Sequence, residues 1–444
     1  MLGDYRIAGR RAAEIAASVE SGVGAGRLPP GTSLPPMREL AQRLGVNPNT
    51  VAAAYRILRE RGVIETAGRR GSRVRASPPT TGRRASRIEV PSGARDLSTG
   101  NPDPGLLPDL APALAAAAGR GAREPVLYGC APVGTALERV ARTALSRDGV
   151  PAGPLAVTSG ALDAIERVLA AHLRPGDTVA VEDPGWGSLL DLVPALGLTA
   201  VPVAVDDEGP LPADAGRALR DGARALLVTA RAQNPTGAAV SASRARALGE
   251  VLAAHPGTLL VEDDHGHGIV DLPLHPLAGR TGHWAFVRST AKSLGPDLRL
   301  AVLTGDPVTV DRVQGRQRLG PGWVSHLLQD TVAALWDHPG GAGPDDAAGS
   351  YRERRDALLR ELAGRGVRAH GRSGMNVWVP VPDETSAVAA LLRDGWAVAP
   401  GARFRLASPP GIRVTVSPLS AQDLVPLADA LAKAVRPAVA RRWD

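Results

Sequence analysis

Between residues 96 and 444, short runs of β-branched and apolar residues alternate with Ala/Leu/Arg-rich stretches of helical period, and this rhythm restricts the fold more than any other feature of the chain. The runs are LAVTS (155–159), DTVAVED (177–183), ALLVTA (225–230), TLLVED (258–263) and WAFVRS (284–289), with helical patterns between most of them, as at 160–173 and 241–254. Strands that alternate with helices predict an α/β body with a largely parallel sheet. Ligands in such sheets bind beyond the carboxyl ends of the strands, and the polar motifs of this chain fall at those ends. No internal repeat is visible.

The motifs come in a definite order. Tyr128-Gly129 is first. Thr158-Ser159-Gly160-Ala161 follows a strand and opens a helix, a turn that offers backbone N–H groups and a helix dipole to a phosphate. Then come Glu182-Asp183-Pro184-Gly185-Trp186, Ala232-Gln233-Asn234-Pro235-Thr236-Gly237, Glu262-Asp263-Asp264-His265, Ser289-x-x-Lys292 with Arg299 seven residues on, and Gly411-Ile412-Arg413-Val414. Taken singly, NPTG is a turn and an acidic pair is a cap; the information lies in the joint order. Lys292 also stands out by type. The chain has two lysines, Lys292 and Lys433, against 50 arginines.

The first 76 residues read differently. Ala13, Ile15, Ala16 and Val19 have helical spacing over residues 10–20, with Gly22, Gly24 and Gly26 placed to end that helix. Residues 36–44 predict a short helix with Leu40 and Leu44 inward and Gly45 as terminator. Residues 48–61 predict a second, with Val51, Tyr55 and Leu58 as its buried stripe, Asn47 as cap and Pro48 in its first turn. Two short helices joined by a tight turn make a helix-turn-helix. GVIETAGRRGSRVRA then reads as two strands around a turn at Gly68–Gly71, a wing carrying arginines. Residues 77–95, SPPTTGRRASRIEVPSGAR, read as a tether.

Charge follows the same division. Residues 1–90 hold 16 arginines and 7 acids, a balance of +9, so with +7 overall the remainder carries −2. A basic head on a near-neutral body suits a polyanionic partner, although charge alone equally describes a solvated basic surface. The single cysteine, Cys130, allows no internal disulfide, which fits a reducing cytosol, and neither a signal peptide nor a membrane span is expected.

The stretch LPPMRELAQRLGVNPNTVAAAYRILRERGVIET resembles the winged-helix DNA-binding domain of the GntR family, over most of residues 10–75. The resemblance implies that the second helix enters the major groove. Asn49, Thr50 and Arg56 on that helix are expected to meet bases or phosphates, with Asn47 before it, Arg38 at the start of the preceding helix, and Arg69, Arg70 and Arg73 on the wing as further DNA contacts.

The motif series from Tyr128 to Arg413 resembles the fold-type I aminotransferases, which use pyridoxal 5′-phosphate (PLP), over residues 96–435. The resemblance implies that Lys292 forms the Schiff base with the cofactor aldehyde, which only a primary amine can do. Asp263 would pair with the pyridinium nitrogen, Asn234 with the ring hydroxyl, and Trp186 would stack on the ring. Ser159, Gly160, Ala161, Ser289 and Arg299 would hold the phosphate, Tyr128 would reach the cofactor of a neighbouring subunit, and Arg413 would take a ligand carboxylate. Related proteins carry EDDY where this chain has EDDH, so His265 is expected in the place of a tyrosine that touches the ring hydroxyl. No metal is expected, since His265 and His267 lack a third ligand at workable spacing.

A winged helix-turn-helix head at 1–76, a linker at 77–95 and an aminotransferase-like body at 96–444 together resemble the MocR/PdxR family of PLP-responsive transcriptional regulators, generally dimers. RAQNPTG…EDDH…RSxxKSLGPDLRLAV…GWVSHLLQD resembles the branch that controls vitamin B6 salvage. Three functions follow: a cytoplasmic regulator that binds operator DNA and senses PLP, alone or joined to an amino compound; a working aminotransferase with an accessory DNA-binding head; and a cofactor-free dimeriser.

Overall fold

A computed structural model describes residues 5–24, 27–29, 31–60, 63–66, 71–74, 90–337 and 347–435. Two compact units divide the chain.

The N-terminal unit is built on α1 (Ala12–Gly24), α2 (Met37–Leu44) and α3 (Pro48–Glu60), followed by the antiparallel strands β1 (Ile64–Thr66) and β2 (Ser72–Val74). Ile15, Val19, Leu40, Val51, Tyr55 and Leu58 close its core, as their helical spacing predicts. Asn47 Oδ1 accepts the Asn49 N–H at 2.8 Å and caps α3. Gly45 ends α2 with a left-handed φ of 66°. α1 ends at Gly24, within the glycines expected to stop it, and runs through Gly22. A Cβ there would lie 2.5 Å from the Tyr5 ring, so this glycine is an approach point for Tyr5 inside the helix. Ala13 is exposed rather than inward, because the stripe begins at Ile15.

The second unit opens with β3 (Arg95–Leu97), so Arg95, at the end of the expected tether, already belongs to a strand. It continues through α4 (Ala111–Arg123) and α5 (Thr135–Arg147) to β4 (Leu155–Thr158) and α6 (Ala161–His172). Next are β5 (Thr178–Asp183), α7 (Gly187–Ala195), β6 (Thr199–Asp206), β7 (Gly209–Pro210) and α8 (Pro212–Arg220). Then follow β8 (Ala225–Thr229), α9 (Ala242–Ala253), β9 (Leu259–Asp264), β10 (His283–Ser289), β11 (Ala301–Gly305), α10 (Pro307–Arg318) and α11 (His326–Asp337). The chain ends its described part with α12 (Ala347–Gly364), β12 (Asn376–Pro380), α13 (Glu384–Arg393), β13 (Trp396–Pro400), β14 (Gly411–Thr415) and α14 (Ala421–Val435).

The large sheet has the order β4-β11-β10-β9-β8-β5-β6-β7. All five apolar runs picked out in the sequence are strands of it. β5, β8, β9 and β10 are parallel neighbours, whereas β11 lies antiparallel between β10 and β4. Strands β8 to β11 are buried along almost their whole length, which is why they read as unbroken apolar runs and not as alternating ones. α6 and α10 pack on β9 to β11, and α8 packs on β8.

A second sheet, β12-β14-β13-β3, has its own core of Val377, Val379, Val398, Ile412 and Val414 under α12, α13 and α14. It brings the two ends of the body together, since Arg95 of β3 sits opposite Trp396 and clasps Asp423 of α14 at 2.7 Å. The packing leaves no room at Gly411, where an added Cβ would lie 2.2 Å from the Trp378 ring. Gly411→Ala should therefore destabilise the body by about 1–3 kcal/mol, seen as a lower midpoint in urea denaturation; an unchanged midpoint would show that Trp378 can move aside.

Candidate functional site

β10 ends at Ser289, and β11 turns straight back beside it from Ala301. The connection, residues 290–300, thus stays at the carboxyl end of the sheet with both Lys292 and Arg299 on it. Lys292 Nζ donates to the Gly100 carbonyl at 2.6 Å. Arg299 donates to the Ser159 carbonyl at 2.9 Å, at the turn from β4 into α6. Gly160 lies under that guanidinium: a Cβ there would be 2.8 Å from Nη2, and its φ is 96°. Only glycine suits both conditions. Ala161 follows, buried, as the first residue of α6. The Ser159 N–H is itself taken by Asp163 at 2.9 Å. Ser289 is buried, and its Oγ accepts the Ala291 N–H.

β9 supplies the next group. Asp263 Oδ2 lies 2.7 Å from His265 Nδ1, and His265 Nε2 lies 2.8 Å from the Ala232 carbonyl. Asp263 Oδ1 is buried and has no hydrogen-bond partner among the described residues. The neighbouring Asp264 faces the other way, into Arg231 Nε and Nη2 at 3.0 and 2.9 Å and Arg288 Nε at 3.0 Å.

Arg413 sits mid-strand in β14, 3% exposed. It donates to Asn234 Oδ1 at 3.0 Å and to the Ser98 carbonyl at 2.5 Å, and lies 4.8 Å over the Phe404 ring. Its Nε has no partner among the described residues. Burial lowers its pKa from the usual arginine value, and the like charge of Arg403 adds to this. Trp186 is half-buried at the head of α7. Its neighbours are tied down, with Gly185 donating to the Phe404 carbonyl at 2.7 Å and Gln233 Nε2 to the Pro184 carbonyl at 2.8 Å.

Residues 96–431 match the family described as aminotransferase class I and II, and residues 11–74 match the bacterial regulatory proteins of the gntR family. The chain is 43% identical, over 95% of its length and 98% of the relative's, to the vitamin B6 salvage pathway transcriptional repressor PtsJ of Salmonella typhimurium. It is 30% identical to the pyridoxine biosynthesis transcriptional regulator PdxR of Corynebacterium glutamicum, over 77% of this chain and 73% of that one. In fold, the body is similar to Pyrococcus horikoshii kynurenine aminotransferase, with a TM-score of 0.68 at 21% identity, covering 80% of this chain and 96% of that one. The chain belongs to the MocR/PdxR family.

PLP is the cofactor of the aminotransferase domain in this family, and the residues present fit it. A buried carboxylate oxygen without a partner, Asp263 Oδ1, suits a pyridinium N–H. A helix start beneath a guanidinium, with glycine where no side chain fits, suits a phosphate. A primary amine stands on the same loop. Asn234 has its Oδ1 occupied by Arg413, which leaves its amide hydrogens for a ring hydroxyl.

Not every expected residue lies among these. Tyr128 is 94% exposed on its own chain, where its ring meets Trp323 at 5.6 Å. His265 departs from its expected role: both its ring nitrogens are engaged, by Asp263 and by Ala232, so neither is left to donate to a ring hydroxyl. In the head, Arg38, Asn49, Arg56 and Arg73 are exposed, Thr50 is half-buried, and Asn47 is used as the cap of α3. Arg73 also pairs with Glu65 across the hairpin. Arg69 and Arg70 lie outside the described residues.

Sequence reading missed Ser98 and Gly100 and gave Ala232 no role beyond its place in the motif, because each acts through a backbone carbonyl that leaves no signature in residue type. The φ of Ala232 is 55°; it and Arg299, at 46°, are the two non-glycine residues with positive φ among those described. Both lie in this site, where a sparsely populated backbone conformation costs about 1–3 kcal/mol each. A further cluster brings ligand-type atoms of Asp148, Asp264 and His267 within 4.8 Å of one another. Its carboxylates are already neutralised by Arg231 and Arg288, and burial with Arg288 pulls His267 down to about 3.

Asp264 holds the end of β9 to the segment that carries Asn234. Although burial works against it, Arg231 and Arg288 keep its carboxyl well below the ordinary range. Its contribution is therefore fully present above the unfolded value of about 4 and is lost progressively as pH falls from there through the depressed folded value. Asp264→Asn should cost about 3–5 kcal/mol at pH 7 by leaving two buried guanidiniums short of an anion. Urea melts at pH 7 and pH 3 check it, with the gap between variant and parent narrower at pH 3 but not closed, since the folded carboxyl is still ionised there.

Proposed function

We propose that the protein is a PLP-responsive transcriptional regulator of vitamin B6 or amino-compound metabolism, acting in the cytoplasm as a homodimer on a two-half-site operator. The observation that carries this reading is the presence, in one chain, of a gntR-type head with exposed Arg38, Asn49 and Arg56 and a body with Lys292, Asp263, Asn234, Arg299 and Arg413 around one site. The names of its relatives PtsJ and PdxR point to the same metabolism.

When bound, PLP supplies an aldehyde for the lysine amine and an electron-withdrawing ring. Lys292 anchors that aldehyde, Asp263 keeps the ring nitrogen protonated, and Asn234 holds the ring hydroxyl. Trp186 would stack on the ring. Ser159, Gly160, Ala161, Ser289 and Arg299 hold the phosphate, and the exposed Tyr128 is available to reach the phosphate held by a second subunit.

Arg413 favours an amino-acid ligand. A buried guanidinium whose acceptors among the described residues are the neutral Asn234 amide and Ser98 carbonyl gains most from a carboxylate, which it takes as a bidentate pair. The same feature supports the second reading, a working aminotransferase. Keto-acid release at ordinary enzyme rates from PLP-loaded protein and amino acids would favour that reading over a sensor.

A ligand that prefers one arrangement of a dimer shifts its population, and coupling of about 1–3 kcal/mol changes affinity about 5–150-fold. Binding to the DNA upstream of the protein's own gene, at one stated salt concentration, should shift at least about fivefold on adding PLP; identical Kd values with and without PLP would sink the sensor reading. Lys292→Ala should remove the shift, and borohydride should fix the cofactor to the peptide containing Lys292, not to that containing Lys433.

Arg38→Ala and Arg56→Ala should each weaken DNA binding across sequences. For every phosphate that the variant no longer neutralises, the slope of log K against log salt should fall by about one.

A further inference from the structure

The histidine that replaces the expected tyrosine is placed to do something else. His265 Nε2 faces a backbone carbonyl, which can only accept. Nδ1 faces Asp263, which as an ionised carboxylate also only accepts. A neutral imidazole has one N–H and would leave one of these acceptors opposed by a lone pair. Two N–H groups satisfy both.

We propose that His265 is a positioning residue that works as a doubly protonated bridge, tying Asp263 at the end of β9 to the Ala232 carbonyl and so fixing two cofactor-holding segments to each other. The bridge holds Asp263 by Oδ2, which leaves the buried Oδ1 for the cofactor. It holds Ala232 in its left-handed conformation from one side. From the other side the Ala232 N–H donates to Ser373 Oγ at 2.9 Å, and Ser373 Oγ donates to the Gly237 carbonyl at 2.9 Å. Asn234 lies between Ala232 and Gly237, so its place is set by the same contacts. A tyrosine at 265 has a single O–H and cannot serve two acceptors, which is the chemical reason that histidine is not a substitute for it here. The ring hydroxyl is left to Asn234.

The electrostatics agree with the geometry. Burial disfavours the charged ring, and so does Lys292 nearby, but the Asp263 carboxylate and the Ala232 carbonyl outweigh them and raise the pKa of His265. The bridge is thus intact below the unfolded value of about 6.5. It is lost as pH rises through the higher folded value.

The inference rests on the PLP reading for its consequence, but not for its test in the protein stripped of cofactor. In the full-length chain labelled with 15N-histidine, the signal that disappears in His265→Gln should show both ring nitrogens protonated at pH 7; one protonated nitrogen would overturn the bridge. Cofactor affinity is then read by PLP absorbance from pH 6 to 9.5. Wild type should bind about tenfold more tightly than His265→Gln at pH 6.5, as expected for a charge-assisted hydrogen bond, and the gap should close as the pH rises. A gap that stays constant with pH marks a packing role and overturns the proposal, as does no gap. If neither protein binds PLP, the proposed function fails while the resonance experiment still decides the bridge.

Discussion

The carboxyl end of β9 carries two consecutive aspartates, and strand geometry sends them to opposite faces of the sheet. Asp264 goes into Arg231 and Arg288, forming a buried ion cluster that fixes the strand end. Asp263 goes to the other face, where His265 holds one of its oxygens and the other stays unpartnered among the described residues. Buried charges are tolerated only when paired, so the first aspartate secures the backbone from which the second can present a free oxygen. A site that must keep a cofactor ring protonated needs such a fixed acceptor.

The other groups arrive from distant parts of the chain because of the sheet order. β11 lies antiparallel beside β10, which returns the Lys292–Arg299 loop to the strand ends and lays Arg299 against the turn between β4 and α6. β14 of the second sheet brings Arg413 to Asn234, and the segment at Ser98–Gly100 accepts from both Arg413 and Lys292. Glu182, buried and raised to about 7 by that burial, accepts from Thr229 and Gln233 and so ties the Trp186 corner to the Asn234 turn. The two strained residues, Ala232 and Arg299, stand within this convergence, one beside Asn234 and one against Ser159.

The five unbroken apolar runs were legible as strands because buried parallel strands have no polar face to interrupt them. β11, with the sequence AVLTG, was not picked out, since Leu298-Arg299-Leu300 between the Gly295-Pro296 turn and the strand blurs where it begins. The strands of the second sheet were not picked out either, although Asp394-Gly395 and Pro409-Pro410 stand directly before β13 and β14. In the head, the stripe of Val51, Tyr55 and Leu58 and the Asn47 cap could be read directly, because they depend on local spacing. Gly22 could not, because its meaning depends on Tyr5, brought back from outside the helix.

What the sequence determined by itself was the division into a basic helical head and an α/β body, the strands of the buried sheet, and which residue types hold the site: one lysine among arginines, two aspartates at a strand end, a glycine before a helix. These are properties of local pattern and of side-chain chemistry. Only the tertiary structure decided that, among the described residues, Asp263 keeps an oxygen free, His265 spends both nitrogens on protein acceptors, and the carbonyls of Ser98, Gly100 and Ala232 join the site. Those facts depend on which acceptors stand opposite a side chain, and acceptors from other strands have no trace in the residues beside it.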